Sequence, residues 1–131
     1  MRKLLAGFAV VLTLGACGGS DSPTASAPPS AVAGVAATIT NNKIRVTWNQ
    51  VPGAVGYRVY MASVAGVTPA NVTTLPGNMT HTDLPTDFDH PPGLDANTTY
   101  YFVVTAVNSA GESLQSCEVS ATIGTATGGS C

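Results

Sequence analysis

Three cysteines, two histidines and a group of aspartates carry most of the reactive side-chain chemistry of this chain. A thiolate is a nucleophile or a metal ligand, and two thiols make a disulfide. Cys17 stands near the N-terminus, and Cys117 and Cys131 stand near the other end. His81 and His90 lie close in sequence to Asp83, Asp87 and Asp89, a set of imidazoles and carboxylates that suits a metal ion in kind. Their spacing matches no metal-ligand motif, so no metal is expected. They read as polar residues on exposed loops and on edge-strand faces, where charge discourages edge-to-edge pairing. No serine sits in a Gly-x-Ser-x-Gly elbow and no Gly-rich loop could cradle a phosphate. No catalytic residue and no cofactor are therefore expected.

The setting of Cys17 is more informative. Arg2 and Lys3 precede a nearly unbroken apolar run over 4–14, and the small residues Gly15 and Ala16 follow. That order is a secretory signal peptide. The run is too short to span a bilayer as a helix, which takes roughly 20 residues. Residues 18–30 are small and polar, with Pro23, Pro28 and Pro29 among them. Such a stretch buries nothing and is expected to act as a flexible or partly extended tether. Fully stretched, it reaches at most about 45 Å.

The segment Leu14-Gly15-Ala16-Cys17 resembles the lipobox of bacterial lipoproteins: a Leu, two small residues, then Cys. The resemblance implies cleavage before Cys17, with the Cys17 thiol acylated and the chain held in a membrane by lipid. Each buried methylene of such an anchor contributes roughly 0.8 kcal/mol, so two or three chains hold where one holds marginally. Gly18 follows, not Asp, which in a Gram-negative host implies the outer membrane over the inner. The three glycosylation sequons at Asn71, Asn78 and Asn97 would go unused in such a protein. In an oxidising envelope Cys117 and Cys131 are candidates for an intramolecular disulfide that folds the C-terminal tail back along the last strand. The alternatives are two independent thiols, or Cys131 paired with another molecule.

Charge narrows the partners. After Cys17 three basic residues (Lys43, Arg45, Arg58) stand against seven acidic ones, a net charge of −4. Without a basic patch the chain is not expected to bind nucleic acid.

The elements that must position these residues are strands. Val, Thr and Tyr are frequent, Gly, Pro and Asn punctuate the chain, and no long stretch has a 3.6-residue apolar period. Strands are expected over 35–40, 43–49, 56–63, 99–108 and 116–123. Asn41-Asn42 suits a tight hairpin turn. Residues 64–90 hold Pro69, Pro76, Gly77 and Pro85, with short apolar pieces at 72–75 and 78–84, and predict one or two short edge strands. One domain over 31–123 is expected, between a signal peptide (1–16), a lipidated cysteine with its tether (17–30) and a tail (124–131). The pattern predicts an all-β, seven-stranded antiparallel sandwich. Trp48 shares a strand face with Ile44 and Val46, which points to the core and not to a sugar-stacking platform.

Residues 31–122 resemble a fibronectin type III domain. The likeness is carried by Trp48, by Gly56-Tyr57-Arg58-Val59-Tyr60, by Leu94, Thr98 and Tyr100, by Phe102, Val104, Ala106, Val107 and Asn108, and by Gly111, Ser113 and Ser116. Leu94 stands six residues before Tyr100, as in that family's tyrosine corner, which implies a bond from the Tyr100 hydroxyl back to the main chain. Ala96 replaces the usual Pro there, which implies a slightly looser corner. The segment 64–90 exceeds the compact family pattern. The Cys pair that joins the sheets of immunoglobulin domains is absent.

With Tyr57 and Val59 inward, Arg58 and Tyr60 point outward, as do Tyr101 and Val103 on the neighbouring strand. Two readings are open: these four form a binding surface for a partner, or residues 64–90 cover them. Because fold alone does not fix function, the resemblance implies a non-enzymatic module that binds protein or polysaccharide or acts as a spacer. The alternative is a structural subunit tethered to a larger envelope or secretion assembly.

Overall fold

A computed structural model describes residues 27–84, 86–90, 93–125 and 127–131. Residues 1–26, which include the expected signal peptide and Cys17, lie outside the described residues. The order is β1 (Ala36–Thr40), β2 (Lys43–Thr47), β3 (Gly56–Ala62), β4 (Met79–Leu84), β5 (Asp87–Asp89), β6 (Thr99–Asn108), β7 (Gly111–Glu112) and β8 (Val119–Thr122). One sheet runs β1-β2-β5, and the other runs β4-β3-β6 with β7 and β8 both on the far side of β6. All pairings are antiparallel. The two sheets face each other as an all-β sandwich.

Alternation decides which faces meet. Ile44, Val46 and Trp48 from one sheet pack on Tyr57, Val59, Met61, Phe102, Val104 and Ala106 from the other. Trp48 and Tyr57 touch ring to ring, centroids 5.4 Å apart. Asn41 and Asn42 both adopt positive φ, 52° and 58°, and close the β1–β2 hairpin between Thr40 and Lys43. Asn tolerates that backbone region because its short amide bonds locally.

Two tyrosines pin loops from within the sandwich. The Asp95 N–H donates to the Tyr100 hydroxyl at 3.0 Å, and the Val51 N–H donates to the Tyr57 hydroxyl at 2.7 Å. The first is the corner that the Leu94–Tyr100 spacing implies; it forms with Ala96 in place of proline.

β7 and β8 are two parts of one path along β6. Between them the hydroxyls of Ser113 and Ser116 accept the N–H groups of Ala106 and Val104, each at 2.9 Å. The same serines' N–H groups donate to the Ala106 and Val104 carbonyls, each at 2.8 Å. Three residues on this path therefore match two on β6, a bulged stretch in which hydroxyls stand in for carbonyls. The single strand expected over 116–123 is thus shorter as a regular strand, and its pairing begins earlier, at Gly111.

The segment 64–90 holds two short strands, but one of them is not where the apolar piece 72–75 pointed. Val72–Thr74 is a single 3-10 turn. Asn71 builds it: its side-chain oxygen accepts the Thr68 N–H at 2.8 Å, and its amide donates to the Gly66 carbonyl at 2.8 Å. The second strand is β5, whose Phe88 points into the core while Asp87 and Asp89 face outward beside Arg45.

Candidate binding surface

Strand pairing brings the four expected surface residues together. Tyr60 lies opposite Val103 and Ala62 lies opposite Tyr101 across β3 and β6, with Arg58 two residues along from Tyr60. The surface they form is not open. Tyr60 is 6% exposed and Val103 is 0% exposed, so of the two readings left open the structure has cover by residues 64–90 and not an open patch. The segment 63–78 folds over the sheet and places Val67, Val72 and Leu75 on them, making a second small core. Tyr101 is half-buried at its margin.

Polar contacts hold this cover. The Ser63 N–H donates to the Pro76 carbonyl at 3.0 Å and closes the neck of the loop. The Glu118 carboxylate accepts the N–H groups of Gly66 and Val67 at 2.8 and 2.7 Å, tying the loop tip to the path between β7 and β8. Gly66 meets this geometry with a φ of 89°, which favours glycine.

Glu112 organises the rest of the face. Its carboxylate accepts from the Tyr60 hydroxyl at 2.5 Å, the Thr105 hydroxyl at 2.5 Å and the Arg58 guanidinium at 2.7 Å. Partial burial pushes the Glu112 carboxyl upward. The hydrogen bonds from Thr105 and Tyr60 and the charge of Arg58 outweigh it and hold the group below its ordinary value. Burial, then the bond to Glu112, raises the Tyr60 phenol. Arg58 is thus engaged in an intramolecular ion pair and is not a free contact residue. Glu112 carries no signature in sequence, because its partners lie on two other strands.

His81 stands on the edge strand β4, as expected, but His90 does not lie on an open loop. His90 is 3% exposed, and its main-chain N–H donates to the Ile44 carbonyl at 2.8 Å. The His81 ring stacks on Phe88 at 4.0 Å between centroids and meets His90 edge-on at 5.7 Å. This cluster bridges the sheets where the chain crosses from β4 to β5. Burial lowers the His81 imidazole below its ordinary 6.5, and the charge of His90 lowers it further. Among the described residues, no three His, Cys, Asp or Glu side chains gather as a metal site. Asp87 and Asp89 pair with Arg45 instead.

These two shifts set an expected pH profile. His81 is kept neutral in the fold but takes a proton when unfolded, so stability should fall as pH drops below about 6.5. Glu112 is kept ionised, so its contribution is present above about 4.5 and is lost as pH falls further through its lowered value. Urea midpoints measured from pH 8 to pH 3 should show both declines. His81→Phe should flatten the upper one and Glu112→Gln the lower.

The exposed face of β1, β2 and β5 is polar. Thr40, Asn41, Lys43, Arg45 and Asp89 line an open hollow of ≈ 270 Å³ there. Among the described residues, Trp48, Tyr57, Tyr60, Phe88, Tyr100 and Phe102 are buried and Tyr101 is half-buried. No described aromatic ring is thus laid open as a platform.

Cys117 and Cys131 are joined as a disulfide with their Cα atoms 6.5 Å apart. The tail it holds does more than follow the last strand. Residues 127–131 lie between β8 and β1 and bond to both: the Gly129 N–H donates to the Ser120 carbonyl, and the Ala37 and Cys131 N–H groups donate to the Gly129 and Val35 carbonyls. The reach to β1 has no periodic signal in a Gly/Thr/Ser sequence.

The model of the fibronectin type III domain matches residues 27–122. An Fn3-like protein from Clostridium thermocellum is 30% identical, with a TM-score of 0.52 over 72% of this chain and 90% of that one. The FN5 domain of Drosophila Lar is 22% identical, with a TM-score of 0.56 over 72% and 96%, and shares the fold. The third fibronectin III domain of a human protein is 23% identical, with a TM-score of 0.59 over 83% and 93%, and likewise shares the fold. No curated protein matches in sequence. A two-sheet sandwich with a tyrosine corner, matched over most of its length by the family model, makes this chain a member of the fibronectin type III domain family.

Proposed function

We propose that this chain is a lipid-anchored envelope protein whose fibronectin type III domain serves as a non-enzymatic spacer or protein-binding module. The observation that carries the reading is the placement of the aromatics. Polysaccharide recognition commonly stacks sugar rings on open aromatic faces, and here the described rings are turned into two cores. What remains outside is threonine, asparagine and charges of both signs around Lys43, Arg45 and Asp89, a surface suited to polar protein contacts. That favours protein over polysaccharide as the partner.

The anchor proposed at Cys17 gives this surface a direction. Ala27 is held at the far end of β6, where its carbonyl accepts the Asn108 amide at 2.9 Å and Pro28 lies against Gly111. A tether entering there would put the Asn41-Asn42 turn and the Asp95–Tyr100 corner on the opposite end, away from the membrane. The hollow at Thr40 and Asn41 would then face outward. Gly18 after the lipidated cysteine points to the outer membrane in a Gram-negative host.

Intact mass of the exported chain tests the anchor. The expected result is loss of residues 1–16 and addition of a diacylglyceryl group at Cys17. Cys17→Ser should move the protein from the membrane to the soluble fraction without changing the melting temperature of the domain. Retention in the membrane of a Cys17→Ser protein that has lost residues 1–16 overturns the anchor. A separate pull-down with the soluble domain reads the module: binding to glycans but to no protein overturns the partner assignment.

A further inference from the structure

The tail strand 127–131 bonds to both sheets of the sandwich. Its Gly129 N–H donates to Ser120 at 2.8 Å, Gly129 accepts from Ala37 at 2.8 Å, and its Cys131 N–H donates to Val35 at 2.9 Å. It thus covers the edge of β1 in one sheet and of β8 in the other. Thr127, Gly128, Ser130 and Cys131 are exposed and Gly129 is half-buried, so no apolar side chain anchors the strand in the core. A few main-chain hydrogen bonds return less, net, than it costs to fix five residues of flexible chain. The covalent bond from Cys131 to Cys117 is what tips the balance toward docking.

We propose that residues 127–131 form a disulfide-latched cover over two sheet edges, and that opening the latch turns the uncovered slot into a docking site for the same strand of a second copy. The slot selects its occupant. A Cβ at Gly128 would stand 2.0 Å from the Ala37 carbonyl oxygen, so a strand with any side chain at that place is excluded. The chain's own Gly128-Gly129-Ser130-Cys131 fits, and every copy carries it. Gly124, whose φ of 90° marks the turn that sends the tail back, would serve as the hinge. Uncovered strand edges pair with other chains, and exchange of an identical element costs little because each contact is remade.

A dithiol reductant delivers two electrons and two protons, the Cys117–Cys131 bond breaks into two thiols, and the reductant becomes its own disulfide. Re-oxidation by a disulfide oxidant removes the same electrons and protons. It joins Cys117 to whichever Cys131 occupies the slot, its own or that of the second copy.

A mixed-variant cross-link tests the exchange. Full chains carrying Cys131→Ser and Cys117→Ser are mixed and oxidised with oxidised glutathione. Neither chain can form the internal bond, so a Cys117–Cys131 peptide found by mass spectrometry must join two copies. The expected result is an abundant cross-link that falls at least fivefold when the chain donating Cys131 also carries Gly128→Val. Absence of the cross-link overturns the proposal, and so does a cross-link indifferent to Gly128→Val, since that would report collision and not docking. Hydrogen exchange on the unsubstituted chain reads the latch without mutation. On reduction the Ala37 and Cys131 amides should exchange at least tenfold faster while Val59 and Val104 stay protected. Unchanged protection at Ala37 overturns the latch.

Discussion

Tyr60→Ala is expected to lower the unfolding free energy by about 3 kcal/mol, the lower end of what removal of a large buried aromatic costs. Two losses combine. The ring leaves a void among Val67, Val72 and Val103, and the covering loop has no other large side chain from β3 to rest on. The hydroxyl also leaves Glu112 with one donor fewer. Tyr60→Phe separates the two: it keeps the packing, loses the bond and should cost about 1 kcal/mol. Tyr101→Ala, at the half-exposed margin of the same cluster, should cost less than the Tyr60 truncation. Urea unfolding of the four proteins checks the order. If Tyr60 were instead an exposed contact residue, its truncation would leave stability within about 0.5 kcal/mol of the parent. The hydrogen bond from Ser63 to Pro76 holds the neck of the loop, so residues 63–78 should gain hydrogen-exchange rate in Tyr60→Ala before β6 does.

The burial of Tyr60 shows where the sequence is legible and where it is not. Period-two alternation placed Ile44, Val46, Tyr57, Val59, Phe102 and Val104 on one core, because a strand's side chains have only two faces and one of them must be buried. It also put Tyr60, Tyr101 and Val103 on the other face, next to one another, as they are. Alternation says nothing about whether that other face meets water. Cover comes from a loop whose residues Val67, Val72 and Leu75 are spaced by a 3-10 turn, not by a strand. That turn is set by Asn71 bonding to its own neighbours, a local signal weaker than the apolar run beside it. The Glu112 hub and the path of the tail were hidden for a related reason. Both depend on partners far apart in sequence, Arg58 and Tyr60 for the first and Val35 and Ala37 for the second. The hairpin at Asn41-Asn42 and the Leu94–Tyr100 corner were legible because each is set by a few adjacent residues.

Trp48 offers the second large effect. Trp48→Ala should cost about 3–5 kcal/mol, since the indole is 6% exposed and packs on Tyr57 in the centre of the main core. Trp48→Phe is the more telling change. The indole Nε1 is buried and has no hydrogen-bond partner among the described residues, and an unmet donor of this kind costs about 1–3 kcal/mol. Phenylalanine removes that cost while giving up part of the packing, so the net loss should stay near 1 kcal/mol, far below that of alanine. Trp48 is the only tryptophan in the chain, which makes its fluorescence a direct unfolding signal for every variant that keeps it. Trp48→Phe and Trp48→Ala are read by far-ultraviolet circular dichroism instead. A sugar-stacking role predicts the opposite pattern: both variants near parental stability, with the parent's emission quenched by soluble oligosaccharide. Burial beneath Tyr57 predicts emission that added saccharide does not move and that shifts red only when the sandwich unfolds.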